Sequence, residues 1–564
     1  MKLAFILLIA TVSSELDINL PADLLSDLVE RSEDNELAYS LAEGEEEEEP
    51  YKYVINYEGT IDDFSGINAS YGKCGKEIEQ LDVSKMKAPH QIRLSYTGKA
   101  TEMAITWTTN DTTEHEQVNY GLMMTELNYT STSISHQYKW RFNETSKEWY
   151  YTSGFIHEAL MINLIPGRIH YYQIESNGMK SEIIKFVAAP EEGSDIPVSF
   201  LHVGDVGTFG TSVMVTNDMM KRMEVKQFHG MIHCGDISYA NKYDGERPMD
   251  AKNKTFAEQK VWDTWGQMVE PVGSKMAYMA VPGNHELDIW DSTNENGTIY
   301  AKRFIMPGNE RYFSFAVGMV HFVAVSTDES IDAESTQGQW FKNILTEVNE
   351  NRDKWPWLVV FQHRPIYNSN NIHKNWEGRE GGTSSRYNNP EIIGWIDNYP
   401  TLIVEQNVDL VLNGHVHHYE RTWPMKNTTT WEESYDNVKY PVHLTCGQAG
   451  KSLYMKYAYY KKENDSTLYD SYHKSDPGWS AARDNSHWGH CELDFIDSTT
   501  VEHRVYQMGD TEHVEKIKIT RSKDRWSAAA SLSISSTLLI LTLSILTWHD
   551  NEHDEYAHSS SLIV

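Results

Sequence analysis

The sequence predicts an α/β fold of layered βαβ units preceded by an all-β sandwich. Three observations carry that expectation. Residues 89–190 hold short alternating segments broken by turn-prone residues. Residues 197–507 hold continuous apolar runs interleaved with amphipathic, helix-like stretches. Five of those runs end in a polar, ligand-like residue. The chain has 564 residues, 40% of them hydrophobic, which is enough core for two to four domains of about 150 residues. Its formal charge of −33 argues against a nucleic-acid scaffold, because such a surface repels phosphate backbones. Aromatic residues at 12% exclude a wholly disordered chain.

Residues 1–14 open with Met1 and Lys2, continue as LAFILLIATVSS and carry small residues at Val12 and Ser14. This is the pattern of a secretory signal peptide cleaved after Ser14. Export agrees with eight N-x-Ser/Thr glycosylation candidates, at Asn68, Asn110, Asn128, Asn143, Asn253, Asn296, Asn427 and Asn464. Residues 15–88 are acidic, with the run Glu45–Glu49, and are expected to form a solvated, partly disordered leader.

From residue 89 to 190 the segments IRLSY, MAITW and IHYYQIES alternate apolar and polar positions, separated by TGK, TND and PGR. That spacing predicts an antiparallel β-sandwich. Beyond Pro197 the runs VSFLHV, GMIHC, AYMAV, WLVVF and VDLVLN read as buried strands. Between them, Trp340, Ile344, Leu345 and Val348 mark one face of a helix.

Four cysteines, Cys74, Cys234, Cys446 and Cys491, are too few for a disulfide framework in a chain of this length. Cys446 and Cys491 stand in strand-like runs where a pairing is open, and Cys234 reads as a small buried hydrophobe. Residues 526–548 form an uncharged stretch long enough to cross a bilayer, followed by a polar tail at 549–564. A single membrane span is the leading expectation there, with a lipid-anchor signal or a cleaved or buried helix as alternatives.

The residues that end the five runs are Asp205 in GDVG, Asp236 in GDISY, Asn284 in GNHE, His363 in HRP, and His415 with His417 in GHVH. The expectation is that they converge at the C-terminal edge of one sheet, where open α/β folds bind substrates. Hard oxygen donors mixed with imidazoles suit transition metals, and a carboxylate set between two ligand groups can bridge two ions. The set reads as a two-metal site.

These blocks resemble the purple acid phosphatases, within the calcineurin-like metallophosphoesterases, over about Pro89 to Gln507. PHQIRLSYTGKATEMAITW resembles the N-terminal, fibronectin III-like sandwich of the long plant-type forms, and SHWGHCELDF their closing segment. The long animal iron/zinc purple acid phosphatase-like proteins share this organisation. The resemblance implies that Asp205, Tyr239 and His417 bind iron(III), that Asn284, His363 and His415 bind a divalent zinc, iron or manganese ion, and that Asp236 bridges them. It implies hydrolysis of phosphate monoesters by metal-bound hydroxide, with His285 stabilising phosphoryl charge and His373 serving the leaving group. In YNSNNIHK, Ile372 stands where the plant pattern often has a first histidine, so only His373 is kept.

The expected product is thus an acid phosphatase of the secretory pathway: secreted, lysosomal or anchored at the cell surface. Its expected partners are a small phosphorylated substrate and a second copy of itself in a homodimer. Two other classes stay open on sequence grounds. One is a nucleotide pyrophosphatase or phosphodiesterase on the same core. The other is a non-catalytic adhesion protein using the sandwich, since fold alone does not determine function.

Overall fold

The computed structural model describes residues 86–112, 115–140, 151–240, 259–287, 297–369, 395, 398–453, 460–461 and 478–522. The signal peptide at 1–14, the leader up to residue 85, the apolar stretch at 526–548 and the tail at 549–564 lie outside the described residues. So do Cys74, His373, Asn68, Asn143, Asn253, Asn296 and Asn464.

The alternating segments near the N-terminus form two sheets of a sandwich. The strands His90–Ser95, Met103–Thr109, Phe155–Met161 and Ile134–His136 lie side by side in that order. Against them stands a sheet built from Gln117–Gly121, Tyr129–Thr132, Ile169–Ser176 and shorter partners. In Ile169–Ser176 alternate residues, His170, Tyr172, Ile174 and Ser176, are buried, as a strand with one core face and one wetter face requires. Trp107 and Tyr172 fill the space between the sheets.

The continuous apolar runs form two further layers. One holds the parallel strands Val198–Val203, Gly230–Cys234 and Ala277–Val281, flanked by the antiparallel strands Gly489–Asp497, Thr500–Gln507 and Glu515–Thr520. The second is an eight-stranded sheet whose parallel core is Val320–Val325, Trp357–Gln362, Leu410–Asn413 and Val442–Cys446. The two sheets face each other: the Phe200 and Phe322 rings meet at 4.7 Å, and Phe495 packs against both. The outer face of the second sheet is covered by the helices Thr336–Glu350 and Tyr399–Glu405. This explains why WLVVF has no polar alternation. Trp357, Val359 and Phe361 point to the other sheet, while Leu358 and Val360 pack under the helices beside Phe341, Leu345 and Ile403.

The helix Thr336–Glu350 begins where Ser335 caps it by accepting the Gly338 N–H at 3.0 Å. Phe341, Leu345 and Val348 are its buried face, with Trp340 and Ile344 at the margin.

The sandwich and the α/β layers share a sheet. Leu94 pairs in parallel with Ala277, so ten strands form one continuous sheet. A buried polar network reinforces the seam. Arg303 reaches the Asp263 carboxylate at 3.0 Å, the Tyr138 hydroxyl at 2.8 Å and the Tyr151 hydroxyl at 2.9 Å. Gln91 donates its backbone N–H to Glu270 at 2.7 Å. Among the described residues, no helix is long and apolar enough to cross a membrane.

Candidate metal centre

Asp205, Asp236 and Asn284 follow strands of the ten-stranded sheet, whereas His363, His415 and His417 follow strands of the eight-stranded sheet. The expectation of one sheet edge is therefore corrected: the site forms where the C-terminal ends of two facing sheets meet. A continuous apolar run shows that both faces of a strand are buried, but not which sheet it joins.

Three of these residues and Tyr239 have left-handed backbones: Asp205, Asp236, Tyr239 and His415, with φ of 61°, 51°, 60° and 66°. That conformation costs an L-residue about 1 to 2 kcal/mol. Such strain persists only where surrounding structure enforces it, and it concentrates at functional sites. The glycines before the ligand-like residues answer to space. A Cβ on Gly283 would stand 2.3 Å from Asp236 Oδ1, and one on Gly414 would stand 2.5 Å from the Cys234 carbonyl oxygen.

Two groups of donor atoms result. In the first, the Tyr239 hydroxyl lies 3.1 Å from Asp205 Oδ1 and 3.1 Å from His417 Nε2, and His417 Nε2 lies 3.3 Å from Asp205 Oδ1. In the second, His363 Nε2 lies 3.1 Å from each of Asp236 Oδ1, Asn284 Oδ1 and His415 Nδ1. Ligands at right angles on one ion, with bonds of about 2.1 Å, stand about 3.0 Å apart. The three spacings of the first group, and those from His363 Nε2 in the second, match that edge.

The far side of the imidazoles agrees. His363 Nδ1 lies 2.7 Å from the Cys234 carbonyl and His417 Nδ1 lies 2.7 Å from the Ser452 carbonyl. A carbonyl only accepts, so both rings carry hydrogen on Nδ1, and Nε2 is the nitrogen each turns toward the donor group. His415 is turned the other way, with Nδ1 inward and Nε2 3.0 Å from Arg364 Nη1.

The electrostatics favour a cation. Burial pushes the Asp205 carboxyl well above its ordinary value, and the Asp236 charge adds to the rise. Burial acts the same way on Asp236, but the charges of His363 and His285 outweigh it and hold that carboxyl far below the usual range. Burial alone would lower His363; the Asp236 charge and hydrogen bond raise it to about 9. Anionic oxygens, a phenol and imidazoles packed this closely are a donor set that fits hard and borderline metal ions.

His285 stands at the rim. Its backbone N–H donates to Asp236 Oδ1 at 3.0 Å, its Nε2 lies 3.7 Å from Asp236 Oδ2, and its ring meets the Tyr239 ring at 4.4 Å. Three neighbours escaped the sequence reading. Glu286 accepts the backbone N–H groups of Ile237 and Gly283, both at 2.9 Å. Arg364 spans His415 and Asp328, the latter at 3.2 Å. Lys451 donates its backbone N–H to the Asp205 carbonyl at 3.0 Å and sets its ammonium 5.1 Å from the centre of the Tyr239 ring. Glu286 and Arg364 sit inside the motifs GNHE and HRP, and that adjacency was the available signal.

Comparison with known proteins agrees along the chain. The purple acid phosphatase N-terminal domain matches residues 89–188, the calcineurin-like phosphoesterase residues 198–419, and the iron/zinc purple acid phosphatase-like protein C residues 440–515. Purple acid phosphatase 22 of Arabidopsis thaliana is 30% identical over 373 residues, covering 64% of this chain and 72% of that protein. Purple acid phosphatase 18 of the same plant is 28% identical over 444 residues, 78% of this chain and 84% of that one. In structure, the purple acid phosphatase PPD1 from yellow lupin (Lupinus luteus) seeds superposes with a TM-score of 0.61 at 21% identity, over 78% of this chain and 76% of that chain. The fold is thus a purple acid phosphatase N-terminal β-sandwich followed by a metallophosphoesterase α/β domain. The chain belongs to the purple acid phosphatase family and is, in class, an acid phosphatase, a phosphoric monoester hydrolase.

Proposed function

We propose that this chain is an exported purple acid phosphatase that hydrolyses small phosphate monoesters at a dinuclear metal centre. In this reading Asp205, Tyr239 and His417 hold iron(III), Asn284, His363 and His415 hold a divalent zinc, iron or manganese ion, and Asp236 bridges the two. The observation that carries it is the pair of donor groups spaced 3.1 to 3.3 Å apart at the meeting of two sheets. Two anionic oxygens with one imidazole suit a trivalent ion; an amide with two imidazoles suits a divalent one. Bound there, the metal pair would supply the Lewis acidity that activates a water and offsets phosphoryl charge.

The protein's own groups orient that chemistry. The Cys234 and Ser452 carbonyls fix the ring planes of His363 and His417. His285, held by its backbone to Asp236 and by its ring against Tyr239, is placed to donate a hydrogen bond to a phosphoryl oxygen. His373 is assigned to the leaving group by the family resemblance. Export rests on residues 1–14 and on the sequons; of the latter, Asn128 and Asn427 are exposed. At Asn427 the hydroxyl of Thr429 donates to the acceptor amide oxygen at 2.9 Å. A membrane span at 526–548 and a homodimer belong to the same reading.

The test is metal analysis with a visible spectrum on the purified full chain, wild type and Tyr239→Phe, followed by turnover of a phosphomonoester and a phosphodiester. Iron with a broad visible band that the Phe variant loses is the expected result. Iron without the band, or a variant that keeps it, would remove Tyr239 from the ligand set. Faster turnover of the diester would move the chain to the phosphodiesterases.

A further inference from the structure

Three of the chain's four cysteines meet at one point in the core. Cys491 lies on the strand Gly489–Asp497, directly across from His202 on Val198–Val203. Cys446 ends the strand Val442–Cys446 of the facing sheet, so the pair spans the two layers. The ligand atoms of His202, Cys446 and Cys491 all lie within 4.8 Å of one another. Cys234 is beside them, with Sγ 3.5 Å from His202 Nε2. All four side chains are fully buried, and the three cysteines are free thiols, with no bond between Cys446 and Cys491.

The imidazole carries the second observation. His202 Nε2 lies 3.3 Å from the Asn413 carbonyl oxygen, which can only accept, so the ring hydrogen sits on Nε2. Nδ1 then holds a bare lone pair, and it has no hydrogen-bond partner in the fully enclosed interior. A histidine that donates one nitrogen to a backbone carbonyl and offers the other is the usual state of a metal-ligating histidine. Burial keeps it neutral, lowering its pKa to about 3.

We propose that His202, Cys446 and Cys491 form a structural metal site, separate from the dinuclear centre, for a thiophilic d10 ion such as zinc. Two thiolates on one zinc stand about 3.8 Å apart, so the donors need close by only about 1 Å or less. Soft sulfur ligands select such ions over the hard ions suited to a carboxylate and phenol site. Binding releases the Cys446 and Cys491 thiol protons to solvent and forms two metal–sulfur bonds, with no change of oxidation state. Asp205 follows His202 by three residues, and the Cys234 carbonyl orients His363. The ion therefore braces the strand ends beneath the catalytic ligands. None of this depends on which ions the dinuclear centre takes.

The experiment measures zinc and copper content and the metal-edge X-ray absorption of the full chain as purified, in wild type, Asp236→Asn, Cys446→Ser and Cys491→Ser. The expected result is about one equivalent of a sulfur-ligated ion in wild type and in Asp236→Asn, lost from both Ser variants. Copper in place of zinc with the same sulfur shell also upholds the site. A wild-type protein without metal–sulfur scattering overturns it, as does peptide mapping that finds a Cys446–Cys491 disulfide. If the Ser variants do not fold, the wild-type absorption spectrum decides alone.

Discussion

Glu286 Oε1 accepts the backbone N–H of Ile237 at 2.9 Å, and so ties the loop after Asp236 to the turn that carries Asn284. Its other oxygen takes the Gly283 N–H at 2.9 Å. Burial, with the Asp236 charge added, raises its pKa to about 8.

This clamp predicts an effect on metal affinity without contact to any ion. Glu286→Ala leaves two buried N–H groups unsatisfied and frees the loops bearing Asp236 and Asn284. Divalent-ion affinity is expected to fall about 10- to 100-fold, as for other groups that orient ligands from behind. Calorimetric titration of metal-stripped protein reads this directly; unchanged affinity would show that the loops hold their form without Glu286.

Arg364 predicts the opposite sign. A guanidinium only donates, so its contact with His415 Nε2 at 3.0 Å favours the tautomer with hydrogen on Nδ1, the atom that faces His363. An ion at Nδ1 must displace that hydrogen and also meets a nearby positive charge. Arg364→Ala is expected to tighten divalent-ion binding by about tenfold, equal to about 1.4 kcal/mol. Weaker binding in the variant would mean that the guanidinium supports the ligand.

A third expectation concerns acid stability. Burial would raise the Glu420 pKa, but His418, Arg483 and Ser369 outweigh it and lower it from 4.5 to about 2. A carboxyl depressed on folding stabilises the protein fully above its unfolded pKa, and that contribution fades as pH falls from about 4.5 to about 2. The shift corresponds to ~3 kcal/mol. Glu420→Gln should therefore be less stable at pH 5 and show a flatter loss of stability below pH 4.5. Denaturant unfolding at a series of pH values tests it; parallel curves for the two proteins would refute it.

The seam between the sandwich and the α/β layers gives a fourth. Arg303 and Asp263 are both almost fully buried, and Tyr138 and Tyr151 complete their hydrogen bonding. Arg303→Met leaves the Asp263 charge without its partner, which costs about 3 to 5 kcal/mol. One cooperative thermal transition, shifted down as a whole, is expected, because the strands of both layers share a sheet. Separate melting of the sandwich would show that the seam is weaker than its hydrogen bonds suggest.

What the sequence determined by itself was the family, the residue types at the donor positions and the local backbone. The strands that lead into the site are short, buried and largely apolar, and each motif glycine stands where a Cβ would collide. Period, composition and turn residues are local properties, so they can be read along the chain. The tertiary structure alone decided which strands share a sheet. It drew His363, His415 and His417 from one layer and Asp205, Asp236 and Asn284 from the other, and it fused the sandwich to the catalytic sheet through Leu94 and Ala277. It also gathered Cys234, Cys446 and Cys491 around His202, although they stand more than 200 residues apart at the extremes. Such contacts arise from burying two faces of every strand at once, and a pattern along one chain does not record which partner covers each face.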